Sequence, residues 1–208
     1  MSSSPSRFPD PEEFGDIVAV GGALTPEFLL DAYAHGIFPW PMEGTDELPW
    51  FCPERRAVLF FKDLHIPRSL EKARRKLNFR TTVNKAFDQV IRACADIPRP
   101  GQSGSWITPE MLSAYIELHR RGHAHSVEVW DGDELVGGIY GVASARSFAA
   151  ESMFYKEDYA SKIALLALID HLKSQGLDWL DIQVMTPHMK AMGAKNIPRK
   201  TFLKLLKE

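Results

Sequence analysis

The chain is predicted to be an α+β protein with a small N-terminal domain, and three stretches carry that prediction. Between Ile37 and Pro53 four prolines and two tryptophans exclude regular helix and imply a loop-rich lobe packed on aromatics. From His125 to Met153 three apolar stretches joined by short turns read as consecutive antiparallel strands. An apolar helix from about Tyr159 to Gln175 then leads into a further strand carrying Asp181 and Gln183. Strands grouped together, then a helix and a strand, give α+β topology.

Each element has a local reason. The start, Met-Ser-Ser-Ser-Pro-Ser-Arg-Phe-Pro, is expected to be mobile, and Asp16-Ile-Val-Ala-Val forms a short strand. Thr25-Pro26-Glu27 supplies an N-cap, a proline at the first helical position and an early acid, so a helix runs over 25–35 and stops at Gly36. The domain boundary falls near Pro53, dividing a small α/β lobe (1–53) from a larger acetyltransferase-like domain (54–208). Beyond it lie a strand at Ala57–Phe61, a basic helix about 67–77, a strand 79–83, a helix from Asn84 to about Ala95 and another from Thr108 to Arg121. His125–Trp130 alternates, Asp131-Gly132 makes the turn, and Glu134–Ala143 and Ser147–Met153 follow as strands. Pro198 opens a terminal basic helix. This order is that of the acetyltransferase-like (N-acyltransferase) fold.

Composition narrows the function classes. With 208 residues, 45% hydrophobic and 25% charged, the chain can bury a full core. No apolar run approaches the roughly 20 residues that span a bilayer, and the start lacks the apolar centre of a secretory signal, so no membrane partner and a cytoplasmic location are expected. Cys52 and Cys94 stand too far apart in sequence, and outside any Cys-x-x-Cys pair, to suggest a disulfide framework or zinc knuckle. The net charge of −2 is unevenly spread. Residues 1–54 hold ten acids against Arg7 alone; 62–80 hold seven bases against two acids, and 185–208 six against one. Those two basic runs permit a phosphate backbone as partner but do not require one, since solvated helix faces are the commoner explanation of such runs.

Several groups invite chemistry. Asp181 and Gln183, two apart in an apolar run, would share one face of a strand, where each unsatisfied group costs about 1–3 kcal/mol. They either tie a loop or helix end to the sheet or serve a reaction. Glu151, inside Phe148-Ala-Ala-Glu-Ser-Met-Phe154, could pair with an ammonium group or an internal cation. Trp106 stands before a capped helix and either stacks on a base or lids the core. Ile139, Phe148, Met153, Leu168 and Leu172 could line an apolar pocket or be plain core. His119, His123 and His125 lack an acid to complete a metal site, and Gly122 separates the first from the others, so no metal is expected. No serine or cysteine sits in a nucleophile elbow, there is no P-loop, and the pyrophosphate-holding turn of coenzyme-A-dependent acetyltransferases is missing.

Taken in order, Ala19-Val-Gly-Gly-Ala-Leu-Thr-Pro-Glu, Ala32-Tyr-Ala-His-Gly-Ile-Phe-Pro-Trp40, Trp50-Phe-Cys-Pro-Glu-Arg-Arg, Trp106-Ile-Thr-Pro and Gly122-His-Ala-His-Ser-Val-Glu-Val-Trp130 form a specific series. Glu134-Leu-Val-Gly-Gly-Ile-Tyr-Gly-Val-Ala, Glu151-Ser-Met-Phe, Ala160-Ser-Lys and Asp181-Ile-Gln-Val continue it. From about residue 14 onward the chain resembles the leucyl/phenylalanyl-tRNA–protein transferase family. The resemblance implies transfer of leucine or phenylalanine from leucyl-tRNA or phenylalanyl-tRNA to the N-terminal amine of proteins beginning with Arg or Lys, marking them for N-end rule degradation. It implies the acetyltransferase-like fold without coenzyme A or any other cofactor. Asp181 and Gln183 match the catalytic pair, and Glu151 the carboxylate near the aminoacyl group. Trp40 and Trp106 match the aromatics that hold the tRNA 3′ adenosine, and Ile139, Phe148, Met153, Leu168 and Leu172 the side-chain pocket. On this reading Asp181 holds the amide of Gln183, whose carbonyl accepts from the attacking amine.

Three departures stand out against that family. Leucines occupy 168 and 172, where aromatics also occur, which opens the preference among leucine, methionine and phenylalanine. Ile182 replaces a common cysteine, a harmless change for a side chain facing away. The chain stops at Glu208, where a further short tail is common, which bears on acceptor preference and tRNA affinity. Competing readings are a coenzyme-A-dependent N-acetyltransferase, a peptidoglycan aminoacyltransferase and a non-catalytic tRNA-binding module.

Overall fold

The computed structural model describes residues 6–42, 44–45, 47–97, 106–144 and 146–207. The first five residues, expected to be mobile, lie outside the described residues, as does the segment 101–105, whose glycines and serines predict a flexible loop leading to Trp106.

The proline-rich segment is not wholly loop. Between its prolines it contributes β2 (Phe38–Pro39) and β3 (Pro49–Phe51), which join β1 (Ile17–Val20) in an antiparallel sheet of order β1-β3-β2. Prolines are tolerated here because Pro39 lies on the edge strand β2 and Pro49 is the first residue of β3. Aromatic packing holds this lobe: Phe8 and Phe28 each lie 5.1 Å from the Trp50 ring, and the Trp50 indole donates to Gly21 O at 2.7 Å. α1 (Pro26–Ala34) starts as the sequence predicts, with Thr25 Oγ1 accepting from Phe28 N–H at 3.3 Å.

The larger sheet has seven strands in the order β10-β4-β9-β8-β7-β6-β5. They are β4 (Arg55–Phe60), β5 (Arg80–Val83), β6 (Ala124–Asp131), β7 (Glu134–Ser144), β8 (Ser147–Tyr155), β9 (Trp179–Asp181) and β10 (Lys195–Pro198). β6 to β8 pair antiparallel, as expected of hairpin connections, and β5 joins β6 antiparallel after two helices intervene in the chain. α5 (Ala160–Ser174) carries the chain back across the sheet, so β9 lies parallel to β8. Those two strands are bridged at one position, Ala149 with Asp181. The remaining helices are α2 (Arg68–Lys76), α3 (Phe87–Asp96), α4 (Pro109–Arg120), α6 (Pro187–Ala191) and α7 (Arg199–Leu205). One core joins the N-terminal lobe to the sheet face under α3 and α4, through Leu29, Trp50, Val90, Tyr115 and Tyr140. A second lies under α5, through Val127, Ile139, Leu165 and Leu180. No helix among the described residues is long and apolar enough to cross a membrane.

Two element boundaries differ from expectation for local reasons. α3 begins at Phe87, not Asn84, because Asn84 takes φ 57° and the Glu128 carboxylate accepts from Lys85 N–H and Ala86 N–H at 3.3 Å each. α5 begins after Tyr159, which has φ 69°. β10 and α6 had no expectation, being too short to show a period.

One irregularity positions the site. Tyr140 faces Ser152 and Gly141 faces Ala150, so Glu151 is an extra residue in β8, a β-bulge of the kind that re-aims a side chain. A Cβ on Gly141 would lie 2.2 Å from Ala149 O and 2.4 Å from the Phe148 ring. Gly141→Ala is therefore expected to destabilise the protein by about 2–3 kcal/mol, read from the urea midpoint, because backbone and ring must both move.

Candidate active site

β9 ends at Asp181, and Gln183 takes the left-handed conformation at φ 55°. The two side chains therefore do not share a strand face. The reason is local: the Gln183 N–H donates to Asp181 Oδ1 at 3.0 Å, an i to i+2 side-chain turn that replaces the ladder. β4 holds this turn from outside, with Ile182 N–H donating to Ala57 O and Ala57 N–H to Gln183 O, both at 3.1 Å. Asp181 and Gln183 are both buried.

The partners of the pair also differ from expectation. The Asp181 carboxylate receives Arg56 bidentately, Nε to Oδ1 at 2.8 Å and Nη2 to Oδ2 at 2.6 Å, and does not hold the Gln183 amide. That amide donates instead to Glu151 Oε1, at 2.5 Å. Tyr115 OH donates to Glu151 Oε2 at 3.4 Å, and the Tyr33 and Tyr115 hydroxyls are 2.5 Å apart. Burial lifts the Glu151 carboxyl to about 8, with the Asp181 charge adding to it against the opposing Tyr33 hydrogen bond and Arg56 charge. Burial and the nearby Glu151 push both tyrosines well above the usual phenol value, so they remain neutral hydroxyls. For Arg56 burial acts downward, yet the Asp181 charge and hydrogen bonds outweigh it, and the guanidinium is held above its ordinary value.

A cavity of about 200 Å³ opens on this cluster, lined by Phe38, Trp40, Trp106, Glu151, Ile182 and Gln183 among others. It brings Trp40, Trp106, Glu151 and Gln183 together from four separate segments. Ile182 is among the lining residues and also packs against the core under α5. Phe148, Leu168 and Leu172 share a second cavity of about 270 Å³, with Ser126, His125 and His171. Ile139 and Met153 line neither cavity; Ile139 is core under α5, with Met153 packed against it.

The histidines have other employment. His119 Nδ1 is 2.8 Å from Ala124 O with its ring stacked on Phe87, and His125 Nδ1 is 2.9 Å from Asn84 Nδ2. No group of three metal-ligating side chains is found among the described residues. The basic runs are unequal. α2 buries Leu70 and exposes Arg68, Lys72, Arg74, Arg75 and Lys76, although Arg74 pairs with Asp170 at 2.8 Å and Arg75 with Glu71 at 3.6 Å. In the C-terminal run Arg199 is buried, donating to the carbonyls of Phe14, Gly15 and Cys52, and Lys195 pairs with Asp63.

Sequence reading missed Arg56, Tyr33 and Tyr115. Arg56 had a signal: a second arginine entering the apolar strand Ala57–Phe60 needs a buried anion, and Asp181 needs a buried cation. The tyrosines had none, since a tyrosine on a helix is ordinary core.

A family model described as "Leucyl/phenylalanyl-tRNA protein transferase" matches residues 58–207, and that for the N-terminal domain of the same proteins matches 22–54. A leucyl/phenylalanyl-tRNA–protein transferase from Anaeromyxobacter dehalogenans (strain 2CP-C) is 48% identical over 198 residues, covering 94% of this chain and 84% of its own. That from Shewanella baltica (strain OS185) is 47% identical, covering 97% and 86%. That from Pseudomonas syringae pv. syringae (strain B728a) is 50% identical, covering 89% and 80%. Among solved structures, L-PGS from Bacillus licheniformis is 13% identical, with TM-score 0.46 over 77% of this chain and 52% of its own. A GCN5-related N-acetyltransferase-like protein from Streptococcus suis 89/1591 is 16% identical, with TM-score 0.40 over 82% and 63%. These two likenesses are too loose to bear on the site.

Proposed function

The chain belongs to the leucyl/phenylalanyl-tRNA–protein transferase family, an enzyme moving an aminoacyl group from tRNA to a protein N-terminus; from that premise we propose its donors, acceptors and catalytic groups. The donors are leucyl-tRNA and phenylalanyl-tRNA. The acceptors are proteins beginning with Arg or Lys, marked by the added residue for N-end rule degradation in the cytoplasm. The ten acids against one base in residues 1–54 support a basic acceptor. Residues 1–53, which contain the three-stranded sheet, and 54–208, which contain the seven-stranded one, act as lobe and catalytic domain.

The observation that carries this reading is the single cavity shared by Trp40, Trp106, Glu151 and Gln183. The 3′ adenosine lies against the tryptophans, where stacking is worth about 1–3 kcal/mol per base. The donor side chain takes the cavity of Phe148, Leu168 and Leu172. The aminoacyl ester is already activated, so the task is to orient a neutral amine against its carbonyl carbon. A protein α-amine has a pKa of about 7.7–8.0, and a useful fraction is neutral near pH 7. With Nε2 of Gln183 committed to Glu151, its carbonyl oxygen is the part left to accept from the amine. The amine nitrogen bonds to the carbonyl carbon, the bond to the ribose oxygen breaks, and the ribose oxygen leaves with a proton.

The test supplies labelled leucine or phenylalanine on its tRNA to peptides beginning with Arg, Lys, Asp or Glu. Transfer to Arg and Lys peptides, lost in Gln183→Ala, is expected. Transfer to Asp or Glu peptides would revise the acceptor, and no transfer to any peptide despite tRNA binding would overturn the reading.

A further inference from the structure

Arg56 is 1% exposed, and its guanidinium carbon lies over two aromatic rings, 4.6 Å from the Phe38 centroid and 4.5 Å from the Phe202 centroid. Its edge is spent on Asp181 through two parallel hydrogen bonds, while Nη1 has no hydrogen-bond partner among the described residues. Stability is a weak reason for such an arrangement, because a buried ion pair seldom outperforms apolar residues of the same volume and an orphaned buried donor makes it worse. Position is a better reason. The fork fixes the plane and direction of the Asp181 carboxylate, and that carboxylate receives the Gln183 N–H and so sets the turn at φ 55° from which the amide reaches Glu151. The stacking rings come from elsewhere in the chain: Phe38, beside Trp40, lines the same cavity, and Phe202 belongs to α7.

Building on the proposed reaction, we propose that Arg56 is a positioning residue for transfer: packed on Phe38 and Phe202, it holds Asp181 so that Gln183 is presented to the cavity. Lysine can supply the charge but neither the fork nor the stacked plane. Arg56 touches no reacting atom, so its influence must pass through Asp181.

The experiment measures transfer of labelled leucine from leucyl-tRNA to an Arg-initiated peptide. Arg56→Lys is expected to lower kcat about tenfold with KM for leucyl-tRNA unchanged within about twofold. On an Asp181→Asn background the same change is expected to cost less than about twofold more, since the group it acts through is already altered. A folded Arg56→Lys protein with unaltered kcat, or losses that multiply in the double variant, would overturn the inference. If Arg56→Lys does not fold, Phe202→Leu removes one of the two rings and leaves the ion pair. It is expected to lower kcat about threefold at constant KM, again without further loss on the Asp181→Asn background; an unaltered kcat would overturn the inference. Absence of transfer by the unaltered protein would instead overturn the reading of the site itself, and this inference with it.

Discussion

Gln183→Ala is expected to lower the turnover of aminoacyl transfer at least about tenfold, roughly 1.4 kcal/mol of transition-state stabilisation, while tRNA binding stays within about twofold. The split follows from where the side chain sits. Gln183 is buried and shares its cavity with Trp40 and Trp106, but its amide is tied to Glu151 and not to either ring. Removing it takes an acceptor from the amine and leaves the stacking surfaces for the adenosine in place. Gln183→Glu is the sharper variant, since it sets a second carboxyl against one already 2.5 Å from the native amide nitrogen. It should lose as much turnover as alanine while conserving size. Gln183→Asn keeps the amide, and asparagine tolerates the left-handed backbone at φ 55°, but its amide stops one methylene short. An intermediate loss is expected. Single-turnover rates with saturating leucyl-tRNA, beside a direct tRNA-binding measurement, separate the three variants. Equal losses of rate and binding would place Gln183 in tRNA recognition instead.

How much of this site can be read from the chain depends on the distance over which each contact is specified. The caps at Thr25-Pro26-Glu27 and Thr108-Pro109-Glu110 and the Asp131-Gly132 turn act within four residues, and α1, α4 and the β6–β7 hairpin form where those signals predict. The Asp181 and Gln183 pair is visible as polarity in an apolar run. Its geometry is not, because the end of β9 is decided by a side-chain hydrogen bond and by Ala57, more than a hundred residues away. Arg56 meets Asp181 across 125 residues, and Glu151 meets Gln183 across 32. The bulge that re-aims Glu151 comes from a slip in pairing between β7 and β8, with Gly141 allowing the close approach. Period-two reasoning cannot show a slip, since it assumes register. The same limit applies to Ile139 and Met153: their apolar character is legible, their place relative to the cavity of Phe148, Leu168 and Leu172 is not.

Stability is expected to fall between pH 6.5 and 8.5 by about 2 kcal/mol, and Glu151 is the reason. Its carboxyl is held at about 8 in the folded protein, against an ordinary 4.5 that applies when the chain unfolds. A raised pKa means the native state keeps a proton that the unfolded state releases. The stabilisation is fully present below about 4.5 and is lost as pH rises through about 8, on the order of 5 kcal/mol in all. Glu27, Asp63 and Glu110, held low by their partners, act below the ordinary carboxylate range. His125 and His188, pushed down by burial, raise stability with pH only up to the ordinary histidine value of 6.5. Above 6.5 the decline therefore belongs to Glu151; the Cys52 thiol, raised by burial, costs stability only from its ordinary value of 9.0 upward, where the unfolded chain begins to release the proton. Urea midpoints at pH 6.5, 7.5 and 8.5 measure it directly. Glu151→Gln, which keeps the shape and removes the titration, should flatten the curve. A decline that persists in that variant would assign it to another group, and a flat curve in the unaltered protein would mean that Glu151 enters the fold already ionised, with its charge met by Arg56.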